Sequence, residues 1–304
     1  FTGLNNFFIF AYRLFLQGAD YLKSTEFLSA KDKLFEVKST LNINGNLVSL
    51  EEPQVMGIIN VTPDSFYSDS RVSQETAILK KAEQMLTEGA LILDIGGYST
   101  RPGAAEVLPQ EEIKRVTTAL NLIATKFPEA LLSVDTFRSV VARQAVCAGA
   151  HIVNDVSGGS LDEDMWQEVA NLKVPYILMH MRGTPQTMNS KNVYDNLLID
   201  IGKELRIAVE QLQQLGVADI VVDPGFGFAK SMEQNYELLR NLGYLKRLGL
   251  PLLVGISRKS MIYKKLSISP EEALNGTTAL HMAALQQGAS ILRVHDVKEA
   301  KQTI

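Results

Sequence analysis

The feature that most constrains this chain is a short run rich in valine, isoleucine and leucine that stops abruptly at a polar or charged residue, and it occurs eight times. The runs are VMGIINV around Asn60, LILDIGG around Asp94, LLSVDT at Asp135, HIVNDVSG at Asn154 and Asp155, PYILMH at His180, DIVVDPG at Asp223, PLLVGIS at Ser257 and SILRVHD at Arg293 and His295. A helix-like stretch usually follows each run before the next begins. Near-continuous apolar strands are expected where helices cover the outer face of a parallel sheet. Eight of them predict an α/β chain folded as a (β/α)8 TIM barrel. Such a barrel builds its active site at the carboxyl ends of its strands, so the strand ends are also the candidate site residues.

The segments between the runs show helical spacing. Ile78, Ala82, Met85 and Leu86 recur every three or four residues, as do Ile113, Val116, Leu120 and Ile123. Helix starts are marked at Pro109, before Gln110, Glu111 and Glu112, and at Ser269-Pro270-Glu271-Glu272, which fits a capping box. Gly89, Gly149, Gly216, Gly249 and Gly288 each precede a strand, where a helix end needs a residue tolerant of positive φ. The helix after Asp296 is expected to be short. Before Val55 the rhythm is absent, and the chain does not begin with Met, which reads as a processed or truncated start. We assign residues 1–50 to an N-terminal extension and 51–304 to the barrel. Within the extension, KLFEVKSTLNINGNLVSL predicts a β-hairpin turning at Asn44-Gly45, placed to cap the amino end of the barrel.

Composition bounds the function classes. With 304 residues, one barrel plus an extension is the economical reading. Charged residues at 21% and hydrophobic ones at 46% are ordinary for a globular protein. A net charge of −4 argues against a nucleic-acid partner, whose footprint is strongly basic. The most hydrophobic segment, FFIFAYRLFL over residues 7–16, contains Arg13 and is shorter than the roughly 20 residues a membrane span needs. Cys147 is the only cysteine, which excludes an internal disulfide and predicts a small buried side chain. A cytoplasmic location with no membrane partner is the expectation.

The strand ends then have to be read as a set. A barrel interior is packed, so polar residues at strand ends point into the site or into the next helix turn. Any one of Asp135, Asn154 and Asp223 could be a helix cap, but together, closing separate strands, they are expected to converge on one hydrogen-bonding pocket. Positive charge arrives late: Ser257-Arg258-Lys259-Ser260 follows strand seven, and Arg293-Val294-His295-Asp296 closes strand eight. Loops in those places often hold phosphate, and Arg and Lys suit clustered anionic oxygens. Arg101, from STRPG after strand two, is a third basic group. The loop after strand one, NVTPDSF, gathers Asn60, Thr62, Asp64 and Ser65 beside Phe66, oxygen donors of a kind that suits Mg²⁺ or a simple Asx turn.

These segments are the ones by which the chain resembles the dihydropteroate synthases, the pterin-binding barrels of the folate pathway. The resemblance covers residues 55 to about 297 and rests on NVTPDSF, GGYSTRPGA, SVDT, NDVSGG, LMHMRGTPQTM, DPGFGF, SRKS and RVHDV in order. It implies condensation of 6-hydroxymethyl-7,8-dihydropterin diphosphate with p-aminobenzoate, releasing pyrophosphate. It further implies that Asn60 holds Mg²⁺, that Asp135, Asn154, Asp223 and Lys259 hold the pterin, and that Thr100, Arg293 and His295 lie along the diphosphate. Arg101, Pro102, Phe228 and Ser257 are then expected around the aminobenzoate, and Asp64, Lys259, Arg293 and His295 are the expected catalytic groups, with Asp64 facing a cationic pterin. A homodimer is also implied. Two positions depart from the pattern: Tyr98 stands where many relatives have Glu, and Ser70-Arg71 where many have a glycine pair.

The chemistry of the residues agrees. A pterin offers adjacent N–H donors that a carboxylate such as Asp223 accepts, and a carbonyl that needs a donor such as Lys259. Leaving either unpaired in a desolvated pocket costs on the order of 1 to 3 kcal/mol. Two other readings keep the barrel: a methyltransferase acting on methyltetrahydrofolate, which has no diphosphate to hold, and a silent pterin-binding paralogue, which is expected to have lost its metal or anion residues. His151 and His281 read as structural or surface residues, Trp166 and the Met residues as core. His180 and Met179, ending strand five, read as pocket wall with no proton-transfer role.

Overall fold

The computed structural model describes residues 37–62, 71–98, 106–184 and 186–304. It opens with the hairpin: β1 (Thr40–Ile43) pairs antiparallel with β2 (Asn46–Ser49), and the turn places Asn44 and Gly45 at φ 50° and 84°. Two consecutive positive φ values are what a tight hairpin turn requires and what Asn-Gly tolerates. Eight parallel strands follow: β3 (Gln54–Asn60), β4 (Ile92–Gly96), β5 (Leu131–Asp135), β6 (Ile152–Asp155), β7 (Tyr176–Met179), β8 (Ile220–Asp223), β9 (Leu253–Val254) and β10 (Ile291–Val294). Their spatial order is β8-β7-β6-β5-β4-β3-β10-β9. A parallel bridge between Val222 and Leu252 joins the two ends, so the sheet closes into the expected TIM barrel.

Helices cover the outside: α1 (Arg71–Thr87), α2 (Pro109–Lys126), α3 (Ser139–Cys147), α4 (Met165–Leu172), α5 (Leu197–Gln214), α6 (Met232–Arg240), α7 (Ser260–Leu266), α8 (Leu274–Gln286) and the short α9 (Val297–Thr303). All five glycines expected at helix ends adopt positive φ. Proline begins α2 as its pattern indicated. Ser269 does not open a helix; Glu271–Ala273 form a 3₁₀ turn before α8, and only the Glu272 side chain reaches back, to the Ser269 N–H. The reciprocal capping box forms instead at Ser231 and Gln234, at the start of α6. No helix among the described residues is long and apolar enough to cross a membrane.

Two apolar layers meet at the sheet. Val55, Leu93, Leu132, Val153, Tyr176 and Ile220 pack outward against the helices. Met56, Ile92, Ile152, Ile177, Val221, Leu253 and Ile291 form the inner cluster, joined by Leu41, Ile43 and Leu50. The hairpin therefore plugs the amino end of the barrel, as its position predicted. Lys38 ties it down through an ion pair with Asp219 at 2.6 Å, and the Asn42 N–H donates to the same carboxylate.

The alternation of strand side chains then fixes where the polar strand ends point. Asn60, Asp94 and Gly96, Asp135, Asn154, Met179, Asp223 and Arg293 each lie two or four residues beyond an inner residue of their own strand, so all face inward. Asp155 and His180 fall on the outer parity.

Candidate active site

The inward residues meet at the carboxyl mouth around one guanidinium. Arg293 Nε donates to Asp94 Oδ2 at 2.6 Å, and Nη2 donates to Asp135 Oδ2 at 2.6 Å. Asn154 Nδ2 donates to the same Asp94 oxygen at 2.9 Å. Residues from four strands, β4, β5, β6 and β10, are thereby locked together. Asp94 is fully buried, and its other oxygen finds no partner among the described residues. Burial works against the Arg293 charge, but Asp94 and Asp135 outweigh it and hold the guanidinium above its usual pKa. Burial pushes Asp135 up to about 7, Arg293 opposing the rise and Asp94 adding to it.

The second half of the mouth is built by β8 and β9. Asp223 Oδ1 accepts the Gly225 N–H at 2.7 Å, which orients the carboxylate. The point a Gly255 Cβ would occupy lies 3.9 Å from both Asp223 Oδ2 and the Arg293 Cβ, so this carboxylate borders the Arg293 cluster. Lys259 Nζ donates to the Phe226 carbonyl and sits 4.9 Å from the Phe228 ring centre. Burial lowers the Lys259 ammonium to about 8, with Asp223 pulling it back up. Burial raises Asp223, and Lys259 pulls it down. Ser257 Oγ accepts the His295 N–H at 3.2 Å and faces His295 Nδ1 at 3.1 Å. The hydroxyl thus meets both the backbone N–H and the ring of His295, which fixes the orientation of the imidazole.

The remaining wall is apolar. Val156, Met179 and Met181 form a small cluster of their own, with Phe137, Leu161 and Phe228 packed on it. An open depression of about 280 Å³ adjoins it, lined by Tyr98, Glu106, Phe137, Arg138, Leu161, Thr184 and Gln186. Tyr98, at one of the two positions that depart from the family pattern, meets Phe137 edge to face at 5.2 Å and 88°, with Arg138 5.3 Å from its ring centre. Arg138 in turn pairs with Glu112, which also accepts from Thr136 Oγ1 at 2.7 Å.

Asn60 ends β3 half-buried at the same mouth. The point a Gly96 Cβ would fill lies 3.4 Å from Asn60 Oδ1 and 3.7 Å from Asp135 Oδ2. No group of three His, Cys, Asp or Glu side chains poised for a metal occurs among the described residues. A single hard oxygen donor on a half-buried side chain still fits Mg²⁺, which completes its octahedron with water and substrate phosphate.

Of the expected site residues, the structure brings Asn60, Asp135, Asn154, Asp223, Phe228, Ser257, Lys259, Arg293 and His295 to one end of the barrel. Asp64, Thr100, Arg101 and Pro102 lie outside the described residues. Arg258, grouped with the anion-binding segments in the sequence, is committed elsewhere: it grips Asp296 with two bonds, 2.7 and 2.8 Å, and reaches the Pro270 and Glu271 carbonyls. Cys147 is exposed, not buried, because α3 buries Val141, Ala142 and Ala145 and position 147 falls off that face. His281 is buried rather than superficial, and His151 has a partner, its Nδ1 accepting the Leu132 N–H at 3.0 Å. Asp94 is the member that the pattern of strand ends left without a role. Its signal was available, a carboxylate inside an otherwise apolar strand on the inner parity.

Comparison with known proteins agrees with this geometry. A sequence model of the family described as pterin binding enzyme matches residues 56–295. The chain belongs to that family. Dihydropteroate synthase of Escherichia coli K12 is 42% identical over 262 residues, covering 86% of this chain and 92% of the relative. That of Synechocystis is 44% identical over 251 residues, covering 82% and 86%. A crystal structure of the Yersinia pestis dihydropteroate synthase with a sulfonamide drug superposes with a TM-score of 0.80 at 41% identity, covering 87% of this chain and 96% of that one. The Xanthomonas albilineans enzyme in complex with 7,8-dihydropteroate gives 0.78 at 36% identity, covering 87% and 95%. Within the pterin-binding enzymes, the chain groups with the dihydropteroate synthases.

Proposed function

We infer that this chain condenses 6-hydroxymethyl-7,8-dihydropterin diphosphate with p-aminobenzoate to give 7,8-dihydropteroate and pyrophosphate. The observation that carries the reading is the division of the mouth into a carboxylate and amide set, Asp94, Asp135, Asn154 and Asp223, beside a basic set, Lys259, Arg293 and His295. A planar heterocycle with adjacent N–H donors and a carbonyl fits the first set. Asp223, oriented by the Gly225 N–H, accepts the donors, and Lys259 meets the carbonyl. The unpartnered Asp94 oxygen supplies a further acceptor.

The diphosphate then extends toward β9 and β10. His295 is the imidazole at this end, and Ser257 holds that ring in place. Arg293 contributes mainly positive field, since its Nε and Nη2 are already given to Asp94 and Asp135. Mg²⁺ at Asn60, when bound, neutralises charge on the leaving diphosphate. The apolar cluster around Phe228 suits the flat aminobenzoate ring. We propose that the C–O bond breaks largely before the amine attacks, because a reduced pterin carries positive charge well. The buried carboxylates facing it then favour that cation over the neutral ring. Asp64, on the loop after β3, is proposed as a further such carboxylate. The partners proposed are these two small molecules and a second copy of the chain; the location proposed is the cytoplasm.

The test is pyrophosphate release with Mg²⁺, the dihydropterin diphosphate and p-aminobenzoate, leaving out each in turn. Release is expected only with both substrates present. Release indifferent to p-aminobenzoate, or product formation surviving Lys259→Ala and Arg293→Ala together, overturns the assignment.

A further inference from the structure

Strand β7 ends at Met179, and the residue that follows faces the opposite way. Met179 points into the mouth, and His180, on the outer parity, points behind it, 4% exposed. There its Nε2 lies 3.0 Å from Glu204 Oε2 on α5, and its Nδ1 lies 3.1 Å from Lys230 Nζ. Burial raises Glu204, but its bonds from His180 and Arg182 outweigh that and hold it down to about 2, so the ring proton sits on Nε2, directed at this carboxylate, and Nδ1 accepts from Lys230. Arg182 fixes Glu204 from the other side.

Lys230 spends its other two protons on the loop that follows β8. Nζ donates to the Gly225 carbonyl at 3.1 Å and to the Phe228 carbonyl at 3.0 Å. The carbonyl between them in sequence, Phe226, accepts from Lys259 on the mouth side. Loop 224–230 is thus held between two ammonium groups, one inside the site and one behind it. Gly225 and Gly227 take φ of 71° and 81°, which glycine adopts freely, but Ala229 takes 48°. A non-glycine residue in that region is uncommon and carries strain. The approach to β7 is equally close: a Cβ on Gly225 would come within 2.0 Å of the His180 carbonyl. The same loop carries the Gly225 N–H that orients Asp223 and the ring of Phe228.

We propose that Lys230, backed by His180 and Glu204, is a positioning residue for the condensation: it fixes loop 224–230 in the shape that presents Asp223, Lys259 and Phe228 to the substrates. This rests on the synthase reading above. It gives His180, the residue just after the fifth barrel strand, its purpose, which lies behind the site and not in it. The effect should fall on binding of the pterin more than on the bond-breaking step, because the groups displaced are those that hold the ring.

The experiment compares wild type with Lys230→Met, Glu204→Gln and Glu204→Leu. Three quantities are read: kcat and KM for each substrate, equilibrium titration with 6-hydroxymethylpterin, and the thermal midpoint. Lys230→Met is expected to raise KM for the dihydropterin diphosphate tenfold or more and to weaken 6-hydroxymethylpterin to match. Glu204→Gln keeps an acceptor for His180 and should stay within threefold of wild type, whereas Glu204→Leu should raise the same KM severalfold. A pterin KM and titration within twofold of wild type for Glu204→Leu and Lys230→Met overturn the proposal. So does a loss confined to kcat that tracks the folded fraction. Should Lys230→Met not fold, Glu204→Leu decides alone. Should wild type release no pyrophosphate, the synthase reading fails while the titration still decides whether Lys230 sets the loop.

Discussion

At the scale of single residues, the mouth shows how much depends on one carboxylate. Asp94 accepts from Arg293 and from Asn154 through the same oxygen and is itself fully buried. Arg293 keeps Asp135 when the Asp94 charge is lost, so the cost is that of weakened bonds to buried donors, about 1 to 3 kcal/mol. Asp94→Asn keeps the volume and removes the charge. We expect it to lower unfolding free energy in urea by about 1 to 3 kcal/mol and to weaken pterin binding by loosening Arg293 and Asn154. An unchanged urea midpoint would refute the central place given to Asp94. The same residue shows where reading by strand ends falls short. Asp135, Asn154 and Asp223 each close a strand and are visible as punctuation, whereas Asp94 sits two residues inside its strand. Its inward direction depends on the register, which the alternation of β4 against its neighbours fixes. Arg258 fails in the opposite sense, since a basic segment in the right loop looks like an anion site until Asp296 is found opposite it.

At the scale of elements, the hairpin and the loops do different work at opposite ends of the barrel. The hairpin inserts Leu41 and Ile43, each almost fully buried, into the cluster at the amino end. Truncating a buried Leu or Ile to Ala costs about 2 to 5 kcal/mol. Leu41→Ala and Ile43→Ala are therefore expected to lower the thermal midpoint well beyond error while leaving KM for both substrates within twofold of wild type. A large KM change with unaltered stability would mean that the plug reaches the mouth. The Asn44-Gly45 turn made the hairpin legible because its φ demands are local. The loop after β8 was legible only in part. DPGFGF announces a tight turn, but the lysine that clamps it lies beyond the motif and its partner follows β7, 50 residues away.

At the scale of the whole molecule, burial decides which charges survive. Burial pushes His180 and His281 each down to about 4, while an unfolded histidine titrates near 6.5. Between those values the unfolded chain binds protons that the native one refuses. Stability therefore falls as pH drops from about 6.5 toward 4, and the loss is complete once both states are protonated. Asp135, raised to about 7, works the other way over much of the range, so the informative quantity is a difference. His281→Gln should lose less stability than wild type between pH 7 and pH 5, read from urea midpoints; parallel pH profiles would refute the assignment. The sequence by itself determined the barrel, because eight apolar runs with helical spacers leave few ways to bury a parallel sheet. It also determined most of the mouth, because the fold places strand ends in one ring. Only the tertiary structure decided which of those ends are joined, which face away, and which neighbour neutralises each charge. The physical reason is that strand parity, register and low-dielectric burial are properties of the closed barrel, and distant residues become partners only when it closes.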